Sequence, residues 1–217
     1  VLIVDEAHEL VQRITSAATH ELTVLGVDRA ARNARRVGIA TEELDRAARA
    51  LDAALGECTV GRIRGELPDA LADALELVRG ASRSVLSAVT KASGGNQAAE
   101  TAGPAKVATA ALTEVFDVSE ELLGTSGAYV VWLAPRDGDY GSSIPERIVA
   151  APLDVARTIN EKLLAERASV MTSATLSLGG GFDAIARHLG VEDPVTLDAG
   201  SPFDYGRQGI LYVASHL

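Results

Sequence analysis

The first six residues, Val-Leu-Ile-Val-Asp-Glu, constrain the chain more than any other stretch. Four consecutive apolar residues leave no polar face, which is the pattern of a strand covered on both sides, as in a parallel sheet flanked by helices. Two adjacent carboxylates close the run. Acids at a strand end make sense at the carboxyl edge of a parallel sheet, because side chains there project into the crevice where ligands bind. Residues 1–4 are therefore expected to form a fully buried strand that delivers Asp5 and Glu6 to a site.

Between this strand and a second apolar run, Ser169-Val-Met-Thr172, lies a long block of helical periodicity. Residues 9–25 place Leu10, Ile14, Ala17, Ala18, Leu22 and Leu25 near one face of a helix. Asp28–Arg36 reads as a short basic helix. Thr41 is placed to cap a helix whose first turn carries Glu42 and Glu43, where the helix dipole favours acids. Its apolar positions are Leu44, Ala47, Ala48, Leu51 and Leu55, and Gly56 ends it. Residues 57–67 read as a loop. Pro68 opens a long helix with Leu71, Leu75, Val78, Ser82, Val85 and Val89 on one stripe. Ser93–Gly103 is a small polar linker, and Pro104 opens another helix with Ala108, Leu112, Val115, Ser119 and Leu122 aligned.

The character changes after Phe116, before which the chain has no aromatic residue. Ala128-Tyr-Val-Val-Trp-Leu133 and Arg147–Ala151 read as two strands of a hairpin about the polar turn Arg136–Gly141. A helix is expected over Asp154–Glu166 and another over Phe182–Leu189, with further short strands at 195–197 and 209–214. The fold class is thus mixed α/β, mainly helical, with a helical insertion between α/β pieces. No internal repeat is visible.

Bulk properties narrow the function classes. A chain of 217 residues with 47% apolar and 23% charged residues can bury a real core. No apolar run spans a bilayer and the start is not a signal peptide, so a cytoplasmic location fits and no membrane partner is expected. The only cysteine, Cys58, rules out an intramolecular disulfide and a cysteine-only metal site. A net charge of -10 argues against a surface that binds nucleic acid all over, though not against a local basic groove. The chain begins inside one strand-like run, without Met, and stops in another, Ile210–Leu217, so a partial segment is expected.

The acid pair has a chemical reading. One acid at a strand end can hold the water shell of a Mg²⁺ that bridges nucleotide phosphates, since Mg²⁺ takes hard oxygen ligands. The second can polarise the water that attacks the γ-phosphate. Val1–Asp5 therefore reads as a Walker B strand, with Asp5 on the metal and Glu6 on the water. If the two strands are neighbours, His8 can hydrogen-bond a hydroxyl of Ser173 or Thr175.

Val4-Asp-Glu-Ala-His8 resembles motif II of the superfamily 2 helicases, the DEAH box. Met171-Thr-Ser-Ala-Thr-Leu176 resembles motif III of the same group. With the helical block between them and the pieces Ala151-Pro-Leu-Asp-Val155 and Ser201-Pro-Phe203, the chain resembles part of an XPD/DinG-type DNA helicase. The resemblance implies a partial RecA-like P-loop NTPase domain interrupted by an Arch-like helical insertion. It implies motif II in 1–8, the insertion in 9–127, a hairpin and return helix in 128–168, motif III in 169–200 and the start of a second RecA-like domain in 201–217. It further implies ATP and Mg²⁺ as cofactors, single-stranded or forked DNA as partner, and 5′→3′ movement. Under it, Ser173, Ala174 and Thr175 with His8 couple hydrolysis to DNA movement. The cysteines of the iron–sulfur cluster that many members carry precede motif II, so any cluster would lie outside this segment.

Competing readings follow from the same residues. The acids can simply cap the next helix. His8-Glu-Leu-Val-Gln12 has Gln12 where a zinc-protease motif needs a second histidine. Arg29, Arg32, Arg35 and Arg36 form the densest basic patch and can touch DNA phosphates, or can be a solvated face balanced by Glu42, Glu43 and Asp45. Gly179-Gly-Gly181 reads as a plain turn, Tyr129, Trp132 and Cys58 as packing residues, and His20, His188 and His216 as incidental. A phosphate-binding loop needs Gly-Lys followed by Ser or Thr, and none of Lys91, Lys106 and Lys162 fits. The segment alone is therefore expected to be inactive. The rival function is a helical module that recruits a protein partner through the insertion, with degenerate ATPase motifs kept for structure.

Overall fold

The structure, a computed structural model, describes residues 1–93, 99–124, 127–135, 141–177, 179–210 and 212–213. Residues 94–98 of the expected linker and 136–140 of the expected turn lie outside them. The chain divides into two compact units, Val1–Val11 with Ala156–Leu217, and Gln12–Val155.

The larger unit is a helical bundle with a small antiparallel sheet. Its helices are α2 (Val24–Arg36), α3 (Glu42–Gly56), α4 (Asp69–Ser93) and α5 (Ala99–Gly124). Neighbours pack as α2 on α3, α3 on α4, α4 on α5 and α5 on α2. Every residue named above for the stripes of α3, α4 and α5 is buried. Fully buried Leu44, Leu51, Leu71, Leu75 and Leu112 each contribute about 1.5–3 kcal/mol by leaving water. Alanines at 30, 31, 34, 47, 48, 74 and 108 let the backbones approach closely. Ser82 and Ser119 are also buried, and each satisfies its hydroxyl by donating to the carbonyl one turn back, Val78 at 2.7 Å and Val115 at 2.6 Å.

The sheet has the order β2–β5–β4–β3, with β2 at His20–Thr23, β3 at Gly61–Arg62, β4 at Tyr129–Ala134 and β5 at Arg147–Pro152. The hairpin β4–β5 is as expected, with Val131 opposite Ala150 and Leu133 opposite Ile148. Leu22 faces Ile148 from β2, so Leu22, Ile148 and Leu133 form one row that joins the helical core.

Five expectations change here. The single helix over 9–25 is α1 (Leu10–Ala17) followed by β2, and α2 starts at Val24, ahead of Asp28. Leu22 and Leu25 suit a helical stripe, but His20–Thr23 pairs with β5, and Thr23 then caps α2 by accepting from the Gly26 N–H at 2.9 Å. The loop 57–67 contains the two-residue β3, which exists because β4 offers it a partner. Pro104 lies inside α5, which begins at Ala99. Thr41 stands at the N-cap of α3 without a side-chain capping bond. Its hydroxyl instead accepts from Arg35 at 2.7 Å and donates to Asp45 at 3.1 Å.

The smaller unit holds a two-stranded parallel sheet of β1 (Leu2–Val4) and β6 (Ser169–Met171), in register Leu2–Ser169, Ile3–Val170 and Val4–Met171. It also holds α6 (Ala156–Ile159), a π-helical turn (Asn160–Leu164), α7 (Asp183–Leu189) and the short α8 (Tyr205–Gln208). The helix expected over 154–166 is thus α6 plus the π turn, whose wider bond runs from Ala165 N–H to the Asn160 carbonyl at 2.8 Å. The strand at 1–4 forms but is not fully buried: Ile3 is 70% exposed, because a two-stranded sheet offers no layer for its outer face. No strand is assigned at 195–197, or at 209–214 among its described residues.

Candidate active site

The carboxyl ends of β1 and β6 bring together Asp5, Glu6, His8, Thr172, Ser173 and Thr175, all within the smaller unit. Three bonds tie the turn after β1 to Thr172. Its N–H donates to the Val4 carbonyl at 2.9 Å, its carbonyl accepts from the Ala7 N–H at 3.0 Å, and its hydroxyl donates to Asp5 Oδ1 at 2.7 Å. Glu6, inside this bracket, has φ 52° and ψ 42°. A non-glycine residue there costs roughly 1–2 kcal/mol, a strain that persists only where the surroundings over-determine it. The left-handed residue turns the chain at once into the 3₁₀ turn Ala7–Glu9, which sends His8 back toward β6.

Asp5 Oδ1 also accepts from the Glu6 N–H at 3.0 Å. The Thr172 hydroxyl, and after it this N–H, hold the Asp5 carboxyl below its ordinary range. Both donors favour the ionised form.

Ser173 Oγ is the hub of the other half. It donates to Glu6 Oε2 at 3.2 Å, accepts from the Thr175 N–H at 3.2 Å and meets His8 Nδ1 at 2.8 Å. A hydroxyl has one proton and two lone pairs. With the proton on Glu6 and one lone pair on Thr175, the bond with His8 needs a proton on Nδ1. The same Nδ1 lies 3.2 Å from Glu6 Oε2, where a lone pair would face a carboxylate. An Nδ1–H form satisfies both contacts at once, with the ring N–H placed between the Ser173 hydroxyl and the Glu6 carboxylate. Both partners of His8 converge on one ring nitrogen, so this is not the relay of a serine hydrolase, which needs the acid and the serine on opposite nitrogens.

Asp5, Glu6 and Ala174 are exposed and Ser173 is half-buried. Among the described residues no group of three or more His, Cys, Asp or Glu side chains is placed to hold a metal. The donor set fits Mg²⁺ nonetheless, since Mg²⁺ is typically held by one or two carboxylates plus water and phosphate. Asp5 Oδ2 takes neither of the two bonds that hold Oδ1.

The basic patch lies elsewhere, on exposed positions of α2 in the larger unit. Arg35 bonds both Asp45 oxygens, at 2.9 and 2.7 Å, as well as Thr41. Arg29 lines a cavity of about 220 Å³ with Glu21 and Glu114. Arg35 and Arg36 occupy the last turn of α2, where cations complement the helix dipole. Cys58 is half-buried and burial pushes its thiol up. No helix among the described residues is long and apolar enough to cross a membrane. Sequence reasoning picks out Ser173 and Thr175 and passes over Thr172; the available signal is that Thr172 ends the strand beside the one that ends at Asp5.

Comparison with known proteins finds ATP-dependent helicases. An ATP-dependent helicase DinG of Mycobacterium tuberculosis is 36% identical over 228 residues, covering 100% of this chain and 33% of the relative. Over its whole length the chain is thus similar to an ATP-dependent helicase named DinG. A probable ATP-dependent helicase YpvA of Bacillus subtilis is 35% identical over 80 residues, 36% of this chain and 12% of that protein. Among solved structures, an XPD helicase covers 88% of this chain and 29% of its own, with 13% identity and a TM-score of 0.43. No family model matches the chain. The chain spans about a third of the length of the DinG relative.

Proposed function

We propose that this chain is the motif II-to-motif III portion of an ATP-dependent DNA helicase, with residues 1–8 and 169–200 forming the edge of a RecA-like domain and the larger unit an Arch-like insertion. Asp5 is the ligand of a Mg²⁺ that supplies charge neutralisation on the nucleotide phosphates when bound. Glu6 accepts a proton from the attacking water. His8, Ser173 and Thr175 relay the state of this site toward the DNA, through a contact that can be made or broken by small shifts of the two strand ends. Ala174 keeps the turn between the hydroxyls small. Movement is 5′→3′ along single-stranded DNA, the larger unit helps form the passage for the strand, and Arg29, Arg32 and Arg36 offer weak phosphate contacts. The whole protein acts in the cytoplasm, including on forked DNA.

One observation carries this reading. Two segments 165 residues apart are joined by the 2.8 Å His8–Ser173 bond, on adjacent parallel strands that end in the two helicase-like motifs. In the full-length protein, Glu6→Gln is expected to keep nucleotide binding and to lower ATP turnover at least about a hundredfold, the lower end of what general-base catalysis contributes. The 217-residue chain, which has no Gly-Lys-Ser or Gly-Lys-Thr loop, is expected to show no turnover above blank. Turnover by the full-length Glu6→Gln protein at the wild-type rate contradicts the assignment.

A further inference from the structure

Thr172 stands outside the Ser-Ala-Thr set, yet it makes the shortest contact with Asp5. Its backbone is fixed on both sides, by bonds to Val4 at 2.9 Å and Ala7 at 3.0 Å, and these two residues flank Asp5 and Glu6. Its side chain is β-branched and therefore stiff at χ1. The hydroxyl thus sits at a fixed place and donates to Asp5 Oδ1 at 2.7 Å. The Glu6 N–H reaches the same oxygen at 3.0 Å. With two donors on Oδ1, rotation of the carboxylate is restrained and Oδ2 is left out of both bonds.

We propose that Thr172 is a positioning residue that fixes the orientation in which Asp5 meets a divalent cation. The proposal rests on the reading of Asp5 as the Mg²⁺ ligand. It adds a residue that touches neither metal nor nucleotide and acts only through Asp5, as outer partners of metal ligands do elsewhere. The backbone bonds of Thr172 do not depend on its side chain, so Thr172→Val removes the hydroxyl while leaving the bracket around Glu6 in place.

The test uses the full-length protein, Mn²⁺ as the probe and a non-hydrolysable ATP analogue, with bound Mn²⁺ read by electron paramagnetic resonance. Thr172→Val is expected to weaken Mn²⁺ binding about tenfold, in the range found when such outer partners are removed. Metal-free nucleotide binding should stay unchanged. Thr172→Ser, which restores the hydroxyl, is expected to stay within about twofold of wild type on the same scale. Wild-type Mn²⁺ affinity in Thr172→Val overturns the proposal alone, and so does a Thr172→Ser protein as weak as Thr172→Val. A wild-type protein that binds no Mn²⁺ beside the nucleotide overturns the reading of Asp5 as a metal ligand, and this proposal with it.

Discussion

Two glycines allow the packing behind the site to be weighed against plain backbone strain. Gly38 and Gly190 both end a helix in the left-handed conformation, at φ 78° and 67°. Both close the same bond pattern: Gly38 N–H to Arg35 and Ile39 N–H to Ala34 in one, Gly190 N–H to Arg187 and Val191 N–H to Ala186 in the other. They differ in surroundings. A Cβ on Gly38 meets nothing within 4 Å, whereas one on Gly190 runs into the Ala156 carbonyl, 2.8 Å from its carbon, and comes within 3.2 Å of Asn160 Cβ. Gly190 also accepts from the Asn160 amide at 2.6 Å, so it locks α7 onto the segment that leads into β6 and the Thr172–Thr175 strand end.

Gly38→Ala should therefore cost only the left-handed penalty, about 1 kcal/mol. Gly190→Ala should cost that plus about 1–3 kcal/mol for overlap with backbone that cannot move aside freely. The sum is about 2–4 kcal/mol, which lowers hydrogen-exchange protection about thirtyfold to a thousandfold. The assay is peptide-resolved exchange over residues 183–191 and 24–39, each compared with wild type. Each helix serves as its own probe, so no single unfolding transition for the chain is assumed. Equal losses of protection at the two sites would refute the argument that contact at Ala156, and not dihedral strain, sets the cost.

Two further outcomes follow from the larger unit. Leu112→Ala, at a position with no exposure, should destabilise it by about 2–5 kcal/mol in exchange over α4 and α5, while a loss under about 1 kcal/mol would contradict the packing. Tyr129, hydrogen-bonded to Glu121 and beside its negative charge, has its hydroxyl pushed up to about 12. A raised value means that the folded state holds the proton more tightly. Its stabilisation is fully present below the ordinary tyrosine value of about 10, and is lost as pH rises toward 12. Glu121→Gln should bring this titration down toward the ordinary value in an ultraviolet tyrosinate titration, and an unchanged curve would contradict the pairing.

How much of this was legible in the sequence depends on the range of the interactions. The stripes of α3, α4 and α5 are written locally, and the residues read from them, Leu44 to Leu122, are buried. The motif residues were legible by type and order, because a strand ending in acids and one ending in hydroxyls each have a local signature. β2 was not legible, since Leu22 and Leu25 keep helical spacing and only pairing with β5 makes His20–Thr23 a strand. The left-handed Glu6 had no signal either: glutamate does not favour that conformation, and its bracket comes from Thr172, far along the chain. For Arg35 the sequence left two readings, a DNA contact or a face balanced by Glu42, Glu43 and Asp45, and only the packing of α2 on α3 pairs it with Asp45.

The most direct test of the central claim is a double-mutant cycle on His8 and Ser173 in the full-length protein, read as DNA-stimulated ATP turnover. If the 2.8 Å bond is the working link, His8→Ala and Ser173→Ala each lower stimulation about tenfold and the double change lowers it little further. Losses that multiply to about a hundredfold would mean that the two side chains act independently, and that the bridge between the strand ends carries no signal.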